Sequence, residues 1–336
     1  PDRPILIDRF LHHATECEAD AISDGENVFV PAVMEHIELA GIHSGDSACI
    51  LPSRNLTMDQ VETIKDYTSR IAKEMHVVGL MNMQYAIEDG EVYVLEANPR
   101  ASRTVPLVSK VCNIKMVKLA TDIMTSHLTG RPSPVPELKE KKIPHYGVKM
   151  PVFPFKMFPE VDPVLGPEMR STGEVLGMSP NVGEAIYKAQ EATQTRLPSE
   201  GTVLLSVNDM DKPELIEVAK GFYECGFKLM GTGRTYDIMK AAGLPAEKVA
   251  KIDEGRPNVL DKITNKSVNI IINTPLDKKG LGDDSYIRKA DVKGKIPYFT
   301  NMAAAKATVQ ALKTIKKNGH LGVKSLQEFH SEIKEQ

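Results

Sequence analysis

Oxygen-bearing side chains cluster near the end of one predicted strand, in the segment VYVLEANPRASRT. Glu96 and Asn98 lie in this segment, and Gln84 lies in the preceding segment NMQYA. A carboxylate with two amide oxygens suits a hard divalent cation such as Mg²⁺, which prefers oxygen ligands and shares them with phosphates. Arg100 and Arg103 follow directly, and a guanidinium offers several donors in a fixed fork to a phosphoryl group. This pattern is typical of a site that binds a metal–phosphate complex.

Strand register decides whether Gln84 and Glu96 can share a ligand. The dipeptide Asp89-Gly90 predicts a hairpin between the two strands that carry them. A two-residue turn pairs Gln84 with Leu95, which puts Glu96 on the opposite face of the sheet. A three-residue loop with a bulge pairs Gln84 with Glu96 instead. Both registers stay open, and in the first one these polar residues are only the solvated end of an edge strand.

A second polar segment, residues 34–52 (MEHIELAGIHSGDSACILP), contains a loop that follows Gly41. Such a loop can bring backbone N–H groups, the His43 imidazole and the Ser44 hydroxyl to a phosphate or a ribose. Zinc binding by His36 and His43 is the alternative, but their spacing matches no zinc motif.

The second half of the chain has polar residues at the ends of successive predicted strands. Ligands of open parallel sheets bind beyond these strand ends, at helix N-termini. Thr and Asn also begin helices as ordinary caps. Because several such positions occur in register, we favour a phosphate site over capping alone. The residues are Lys212, Thr232, Gly233, Arg234, Thr235, Lys251, Asn273, Thr274, Thr300 and Asn301.

Strands and helices alternate in the first half of the chain. Thr57 is a good N-cap for an amphipathic helix that ends near Met75. The Pro/Lys-rich stretch 130–146 is typical of an exposed connection, and the Pro/Gly-rich stretch 147–177 predicts loops with short strands. The other predicted strands are 16–23, 26–33, 77–87 and 91–97, and the other predicted helices are 104–112 and 114–127.

Regular strand-then-helix units begin near Gly201. Short apolar strands separated by amphipathic helices indicate a parallel sheet that is covered on both faces. We therefore expect two domains, residues 1–195 and residues 196–336. The predicted strands are 202–207, 227–231, 249–252, 268–273 and 296–299, and the predicted helices are 212–225, 233–242, 257–265, 301–317 and 325–335.

Composition excludes several classes of protein. The 336 residues contain 42 Lys+Arg and 45 Asp+Glu, a net charge of -3 that argues against a basic nucleic-acid binder. With 41% hydrophobic and 26% charged residues, the chain falls in the globular range. Apolar runs are too short to span a bilayer. The 4 cysteines form no CxxC pair, which favours reduced, buried thiols in a cytoplasmic protein.

The first residues, PILIDRF, predict a strand with no preceding element to pair with. A free-standing domain rarely begins in this way. We therefore expect the N-terminal lobe of the first domain to be missing from this sequence.

Three long segments resemble one family, the C-terminal half of the large subunit of carbamoyl phosphate synthetase. They are the segment 34–52 quoted above, EANPRASRTVP (96–106) and VDPVLGPEMRSTGEVLG (161–177). The resemblance covers essentially the whole chain. It implies an α/β protein in which a partial ATP-grasp lobe, an antiparallel sheet with helices, precedes a doubly wound parallel-sheet domain like methylglyoxal synthase.

The resemblance also implies roles for residues of the first domain. Gln84, Glu96 and Asn98 match ligands of Mg²⁺ or Mn²⁺, and Arg100 and Arg103 match contacts of the transferred phosphoryl group. Further positions match the ATP pocket, where the family also binds K⁺: Asp8, Leu11, Glu16, Gly41, Ile42, His43 and Ser44.

Regulation is implied by the same resemblance. Lys212, Thr232, Thr235, Lys251 and Asn273 match positions that bind the effector UMP. Glu38 and Asp46 match acidic residues that bind ornithine in some bacterial enzymes. IMP is a further effector that the resemblance implies. The chain departs from the family pattern at two of these positions, since Met150 replaces an acidic residue and Pro275 replaces a threonine.

The complete enzyme of this family makes carbamoyl phosphate from bicarbonate, glutamine-derived ammonia and ATP, for arginine and pyrimidine synthesis. The implied partners are the small glutamine-amidotransferase subunit and the remainder of the large subunit, and we expect residues 1–336 alone to lack turnover. Two alternatives remain: a non-catalytic nucleotide-sensing module, and another ATP-grasp ligase.

Overall fold

The computed structural model describes residues 3–5, 7, 9, 11, 14–157, 165–274 and 296–335. Asp8 and Pro275 therefore lie outside the described residues. The strands are β1 (Thr15–Asp24), β2 (Val28–Phe29), β3 (Val33–Leu39), β4 (Cys49–Leu51), β5 (Val78–Glu88), β6 (Glu91–Asn98), β7 (Lys141–Lys142), β8 (Tyr146–Val152), β9 (Gly173–Ser179), β10 (Thr202–Val207), β11 (Lys228–Thr232), β12 (Ala246–Val249), β13 (Ile270–Thr274), β14 (Tyr298–Phe299) and β15 (Lys334–Glu335). The helices are α1 (Met58–Glu74), α2 (Val105–Val111), α3 (Met116–Thr129), α4 (Val182–Ala192), α5 (Lys212–Glu224), α6 (Gly233–Ala241), α7 (Val259–Thr264), α8 (Met302–Asn318) and α9 (Leu326–Ser331).

An antiparallel sheet fills the first half of the chain. Its strands follow the order β6-β5-β1-β3-β4-β8-β9, and β2 pairs separately with β1. The inner residues of β1 are buried on both faces, because α1 and α3 pack against the sheet. This burial matters for chemistry, since the inner residues of β1 include three carboxylates, those of Glu16, Glu18 and Asp20.

Local sequence signals explain α1 and the hairpin that follows it. The Thr57 side chain accepts a hydrogen bond from the backbone of Gln60, whose own side chain accepts one from the Thr57 backbone. This reciprocal cap fixes the helix start, as predicted. The predicted hairpin is also confirmed, since β5 and β6 are joined by Asp89 and Gly90, both at positive φ.

Loops with short strands were expected for residues 147–177, and the described part of this stretch holds most of β8 and β9, which pair along their whole length. Two other predictions for the first half are wrong. The predicted strand 26–33 reduces to β2 and the start of β3, and the described residues between 3 and 11 form no strand. Helix α4 was not predicted, although Asn181 caps it through its side chain.

A parallel sheet with the order β12-β11-β10-β13-β14 forms the second half. Its predicted helices and most of its predicted strands are present, although the last helix ends at Ser331. The predicted strand 249–252 is wrong, because β12 spans Ala246–Val249 and shares only Val249 with it. Beyond that helix, β15 pairs with β7, so the chain returns to the first half of the molecule. No helix in the described ranges is both long and apolar enough to cross a lipid bilayer.

The two sheets share one hydrophobic core. Ile50 and Val148 of the antiparallel sheet belong to the same buried cluster as Val203 and Ile270 of the parallel sheet. Helix α8 packs on α4 across this junction, and the contact is close because Gly183 has no side chain. A Cβ atom there would lie 2.3 Å from the Thr314 hydroxyl oxygen.

Gly177 lets β9 pack tightly on α4. A Cβ atom at this position would lie 2.1 Å from the Ala185 carbonyl oxygen and 2.4 Å from the Ala189 nitrogen. Main-chain atoms cannot rotate away, so we predict that Gly177→Ala lowers the free energy of unfolding by about 2–3 kcal/mol. Gly173→Ala on the same strand is the control, because no atom lies within 4 Å of its Cβ position. Urea unfolding measures both variants, and an equal effect of the two would contradict this packing account.

Candidate nucleotide and metal site

Two rows of polar residues cross three neighbouring strands on one face of the antiparallel sheet. Opposed residues of antiparallel strands share a face, and the strand repeat of two keeps alternate residues on that face. The first polar row is Glu18 of β1, Gln84 of β5 and Glu96 of β6. The second polar row is Asp20 of β1, Asn82 of β5 and Asn98 of β6.

A β-bulge in β6 creates the first polar row. The turn after β5 has two residues, because Glu88 pairs with Glu91. A regular ladder would then place Leu95 opposite Gln84, but the register shifts after Tyr85 and leaves Leu95 unpaired. Gln84 therefore pairs with Glu96, as metal binding requires. Of the two alternatives left open, the observed pairing is that of the second, but the extra residue lies within the strand and not in the turn.

Gln84 and Glu96 are suited to share a divalent cation. The Gln84 side-chain nitrogen donates to the Ser44 hydroxyl oxygen at 3.1 Å, which leaves its amide oxygen for a metal. The Glu96 carboxylate is exposed, and none of the described residues forms a hydrogen bond or ion pair with it. The Asn98 side-chain nitrogen is buried and has no partner among the described residues, which suits a phosphate oxygen as acceptor.

The loop after Gly41 lies against these metal-ligand candidates. Ser44 contacts Gln84 through its hydroxyl and accepts a 2.9 Å hydrogen bond from Lys149 on its carbonyl oxygen. The His43 ring nitrogen Nδ1 accepts from the Gly45 backbone at 3.0 Å. Glu16 is buried, and burial raises the pKa of its carboxyl group, although His36 and the Gly41 backbone act in the opposite direction. Ile42 of the same loop is half-buried. The structure thus brings the predicted ATP loop and the predicted metal ligands together.

The remaining first-domain candidates lie in different surroundings. Arg100 is exposed, and its guanidinium donates to the Ala101 carbonyl oxygen at 3.1 Å. Arg103 donates to the Ser171 hydroxyl oxygen at 3.0 Å, so it contacts the segment before β9. Leu11 is half-buried.

The two ornithine candidates bind main-chain groups within the protein. Glu38 accepts a hydrogen bond from the Ala48 nitrogen at 2.6 Å. Asp46 is fully buried, and its two carboxylate oxygens accept from the nitrogens of Arg170 and Ser171 at 2.7 and 2.9 Å. Both acids therefore hold this loop region in place.

A buried ionic cluster, which was not predicted from the sequence, includes Glu18 of the first polar row and continues onto the strands β3, β4 and β8. His36 is 3.3 Å from Glu18, and the ligand atoms of these two residues and Cys49 lie within 4.8 Å of one another. His43 is not part of this group, so the structure gives no support to the alternative of zinc binding by His36 and His43. Lys149 is 1% exposed and belongs to the same cluster. The ammonium group supplies positive charge to the buried acids.

Burial and neighbouring charges shift the pKa values of this cluster in opposite directions. Burial raises the pKa of Glu18, but the His36 imidazole more than offsets this and holds that pKa below its ordinary value. Burial lowers the pKa of His36, but the Cys49 sulfur and the Glu18 carboxylate raise it well above the usual range. Glu18 and His36 therefore form a buried ion pair.

The pKa of Asp20 is shifted upward, in contrast to that of Glu18. Burial and the charge of Glu18 raise its pKa to about 6, although Thr104, Ser102 and Asn82 all donate hydrogen bonds to it. The strand sequence carried a signal for this cluster, because the acids of β1 alternate in ECEAD with a period of two.

The structure also defines the edge of the parallel sheet where the effector candidates lie. Thr235 accepts a hydrogen bond from the Val207 nitrogen at 3.1 Å, and Thr232 donates to Ser206 at 3.0 Å. The Asn273 side chain donates to the Tyr298 hydroxyl at 2.9 Å. These three candidates are buried and join neighbouring strands and helices. Lys212 and Lys251 lie further out, at the rim of the same edge.

Comparisons with known proteins agree with this geometry. Residues 1–128 match the family model "Carbamoyl-phosphate synthase L chain, ATP binding domain", and residues 214–300 match the model "MGS-like domain". The carbamoyl phosphate synthase large chain of Methanosarcina barkeri is 45% identical over 100% of this chain and 83% of its own length. The chain belongs to the family of carbamoyl phosphate synthase large chains.

Other relatives are longer than this chain, and the chain covers only part of their length. The carbamoyl phosphate synthase large chain of Methanocorpusculum labreanum is 47% identical over 98% of this chain, but only 31% of that relative is covered. The C-terminal section of the large chain of Aquifex aeolicus is 46% identical, with 98% of this chain and 65% of that relative covered. The sequence thus spans about a third of the full-length relative. These matches favour carbamoyl phosphate synthase over another ATP-grasp ligase.

We predict that Asp20→Asn changes how stability depends on pH. A carboxyl group whose pKa is higher in the folded protein than in the unfolded chain stabilises the fold while it is protonated. For Asp20 this contribution is present below about pH 4 and is lost as the pH rises to about 6. The variant avoids this loss, so its free energy of unfolding should gain roughly 2–3 kcal/mol relative to the wild type between pH 4 and pH 7. Urea unfolding across this range measures the difference, and parallel curves for the two proteins would show that Asp20 is already ionised at low pH.

Proposed function

We propose that this chain provides the metal-binding and phosphate-binding face of the site that phosphorylates carbamate with ATP. The pairing of Gln84 with Glu96 beside the loop after Gly41 is the observation that carries the proposal. In the reaction, a carbamate oxygen attacks the γ-phosphorus of ATP, and the bond from that phosphorus to the ADP oxygen breaks. Carbamoyl phosphate and ADP are the products. The full activity of the large chain would also require residues beyond those in this sequence.

Each group on this face has a defined task in the proposed site. The Gln84 oxygen, the Glu96 carboxylate and the Asn98 amide would bind Mg²⁺ or Mn²⁺, which neutralises charge on the ATP phosphates when bound. Ser44 fixes the Gln84 amide so that its oxygen is turned away from the loop. Arg100 is exposed beside Asn98 and would contact the transferred phosphoryl group, while Arg103 would bind there after giving up Ser171.

The surroundings of the site support K⁺ binding as part of the same proposal. Glu16 is buried next to the loop, and the Ser47 hydroxyl is buried with no hydrogen-bond partner in the described part of the chain. A carboxylate and an unpaired hydroxyl oxygen are suitable ligands for a hard cation. Leu11 would line the nucleotide pocket, and the same role stays a prediction for Asp8, which lies outside the described residues.

The parallel-sheet domain would bind the regulatory nucleotide. We propose that Lys212 and Lys251 hold a phosphate at the carboxyl edge of the sheet, with UMP or IMP as the nucleotide. The buried residues Thr232, Thr235 and Asn273 would shape the floor of that site. Residues 1–195 and 196–336 would then be the catalytic part and the effector part. Helix α8 would couple them, because it packs on α4 and on β3.

The partners that we propose follow from the share of the large chain that this sequence covers. The reaction needs ammonia and the other lobe of the ATP site, so we propose association with the remainder of the large chain and with a glutamine-hydrolysing small subunit. Ornithine binding through Glu38 and Asp46 has less support, because both acids already hold main-chain groups and Met150 is apolar.

We predict that Glu96→Gln abolishes the metal-dependent step in the assembled enzyme. Loss of one carboxylate ligand should reduce ATP formation from carbamoyl phosphate and ADP by at least about 100-fold, with a higher Mg²⁺ requirement. Glu91→Gln is the matched control, since it removes the same charge from an exposed position at the other end of β6. Initial rates over a Mg²⁺ titration give both values. An active Glu96→Gln enzyme with an unchanged Mg²⁺ requirement would instead support a non-catalytic nucleotide-sensing role for this chain.

A further inference from the structure

Three basic residues converge at the carboxyl edge of the parallel sheet. Lys212 begins α5, Arg234 lies in the first turn of α6, and Lys251 follows β12. Burial and the positive charges of Arg234 and Lys251 lower the pKa of Lys212, so these cations are close enough to repel one another. Such repulsion is relieved when an anion binds between them.

One carboxylate of the chain already lies between two of these cations. The two oxygens of Asp209 point to different partners: Oδ1 forms an ion pair with Lys212, and Oδ2 lies 2.9 Å from an Arg234 guanidinium nitrogen. This bridging arrangement resembles the way in which two oxygens of a phosphate group engage two cations.

The turn between β10 and α5 holds Asp209 in this position. The Asn208 side-chain oxygen accepts hydrogen bonds from the backbone nitrogens of Met210 and Asp211 at 2.8 and 3.0 Å. Asp211, two residues away, accepts a hydrogen bond from the Asn208 side chain at 2.7 Å and therefore faces a different group. The contact with the cations is specific to Asp209.

We propose that Asp209 is an internal competitor that occupies the phosphate position of the effector site and makes the site selective for phosphomonoester dianions. This inference rests on the proposed effector function. Asp209 pairs with Lys212 and Arg234 and supplies one negative charge, whereas Lys251 adds a third positive charge near Lys212, so a ligand with more than one negative charge neutralises this group better than Asp209 does. A phosphomonoester carries nearly two negative charges at neutral pH. A neutral nucleoside has no group that can replace the carboxylate.

Asp209 competes with a phosphate ligand only weakly. Asp209 is 59% exposed on its side chain and Arg234 is 73% exposed, so their ion pair is screened by water. Lys212 is 12% exposed, so its pair with Asp209 is the stronger of the two. Removal of the carboxylate should therefore tighten phosphate binding about three- to tenfold, without creating a site that was absent.

The test is a calorimetric titration of the complete large chain with UMP, inorganic phosphate and uridine. Asp209→Asn should bind UMP and inorganic phosphate about three- to tenfold more tightly than Asp211→Asn, and the affinity for uridine should not change. Asp211→Asn removes the same charge nearby and controls for long-range electrostatics.

The outcomes separate this inference from the proposed effector function. If the wild type binds UMP and Asp209→Asn binds it no more tightly than Asp211→Asn, Asp209 is not a competitor. Equal tightening for uridine and UMP would also overturn the inference, because the gain would not depend on the phosphate. If neither the wild type nor Asp209→Asn binds UMP or phosphate, the effector function itself fails and this inference fails with it.

Discussion

The unpaired residue Leu95 decides on which face of the sheet the Glu96 carboxylate lies. Side chains alternate along a strand, so one extra residue moves every following side chain to the other face. Because the extra residue lies between Val94 and Glu96, the apolar half of β6 keeps its pairing with β5 while Glu96 and Asn98 join the polar rows. The metal-binding proposal depends on this single irregularity. A β-bulge beside a functional site is a common device for aiming a side chain.

The ionic cluster around Glu18 and His36 places a second constraint on the fold. A buried carboxylate is costly unless it is paired and hydrogen-bonded. His36 and Lys149 meet this requirement for the acids of β1, and Lys149 also holds the Ser44 carbonyl oxygen. The same charges that satisfy the sheet interior therefore position the loop next to Gln84. Stability and the geometry of the site are linked through Lys149.

Local features of the fold could be predicted from the sequence, because they depend on a few neighbouring residues. Thr57 with Gln60 defines the start of α1, and Asp89-Gly90 defines the hairpin. The register around Leu95 could not be decided, since period-two patterning fits either face until the whole sheet is assembled. The positions and pairing of β8 and β9 could not be predicted for a related reason: Pro and Gly indicated loops with short strands there, but long-range pairing decides where those strands lie.

Some residues of the candidate site could likewise be predicted from the sequence, and others could not. Gln84, Glu96, Asn98 and Ser44 were predicted from residue type and from family resemblance, and the structure brings them together. Lys149 and Glu18 were not predicted, because their partners come from strands far apart in the sequence. The Asp209 bridge is also a tertiary feature, since Arg234 is 25 residues away along the chain.

The central claim is that the bulged pairing lets Gln84 and Glu96 share a divalent cation. Anomalous X-ray diffraction from crystals of the complete large chain, grown with Mn²⁺ and ADP, tests it most directly. The account predicts a manganese peak within bonding distance of both the Gln84 amide oxygen and the Glu96 carboxylate. A peak bound instead by Glu18, His36 and Cys49, or a structure in which Leu95 faces Gln84, would contradict it.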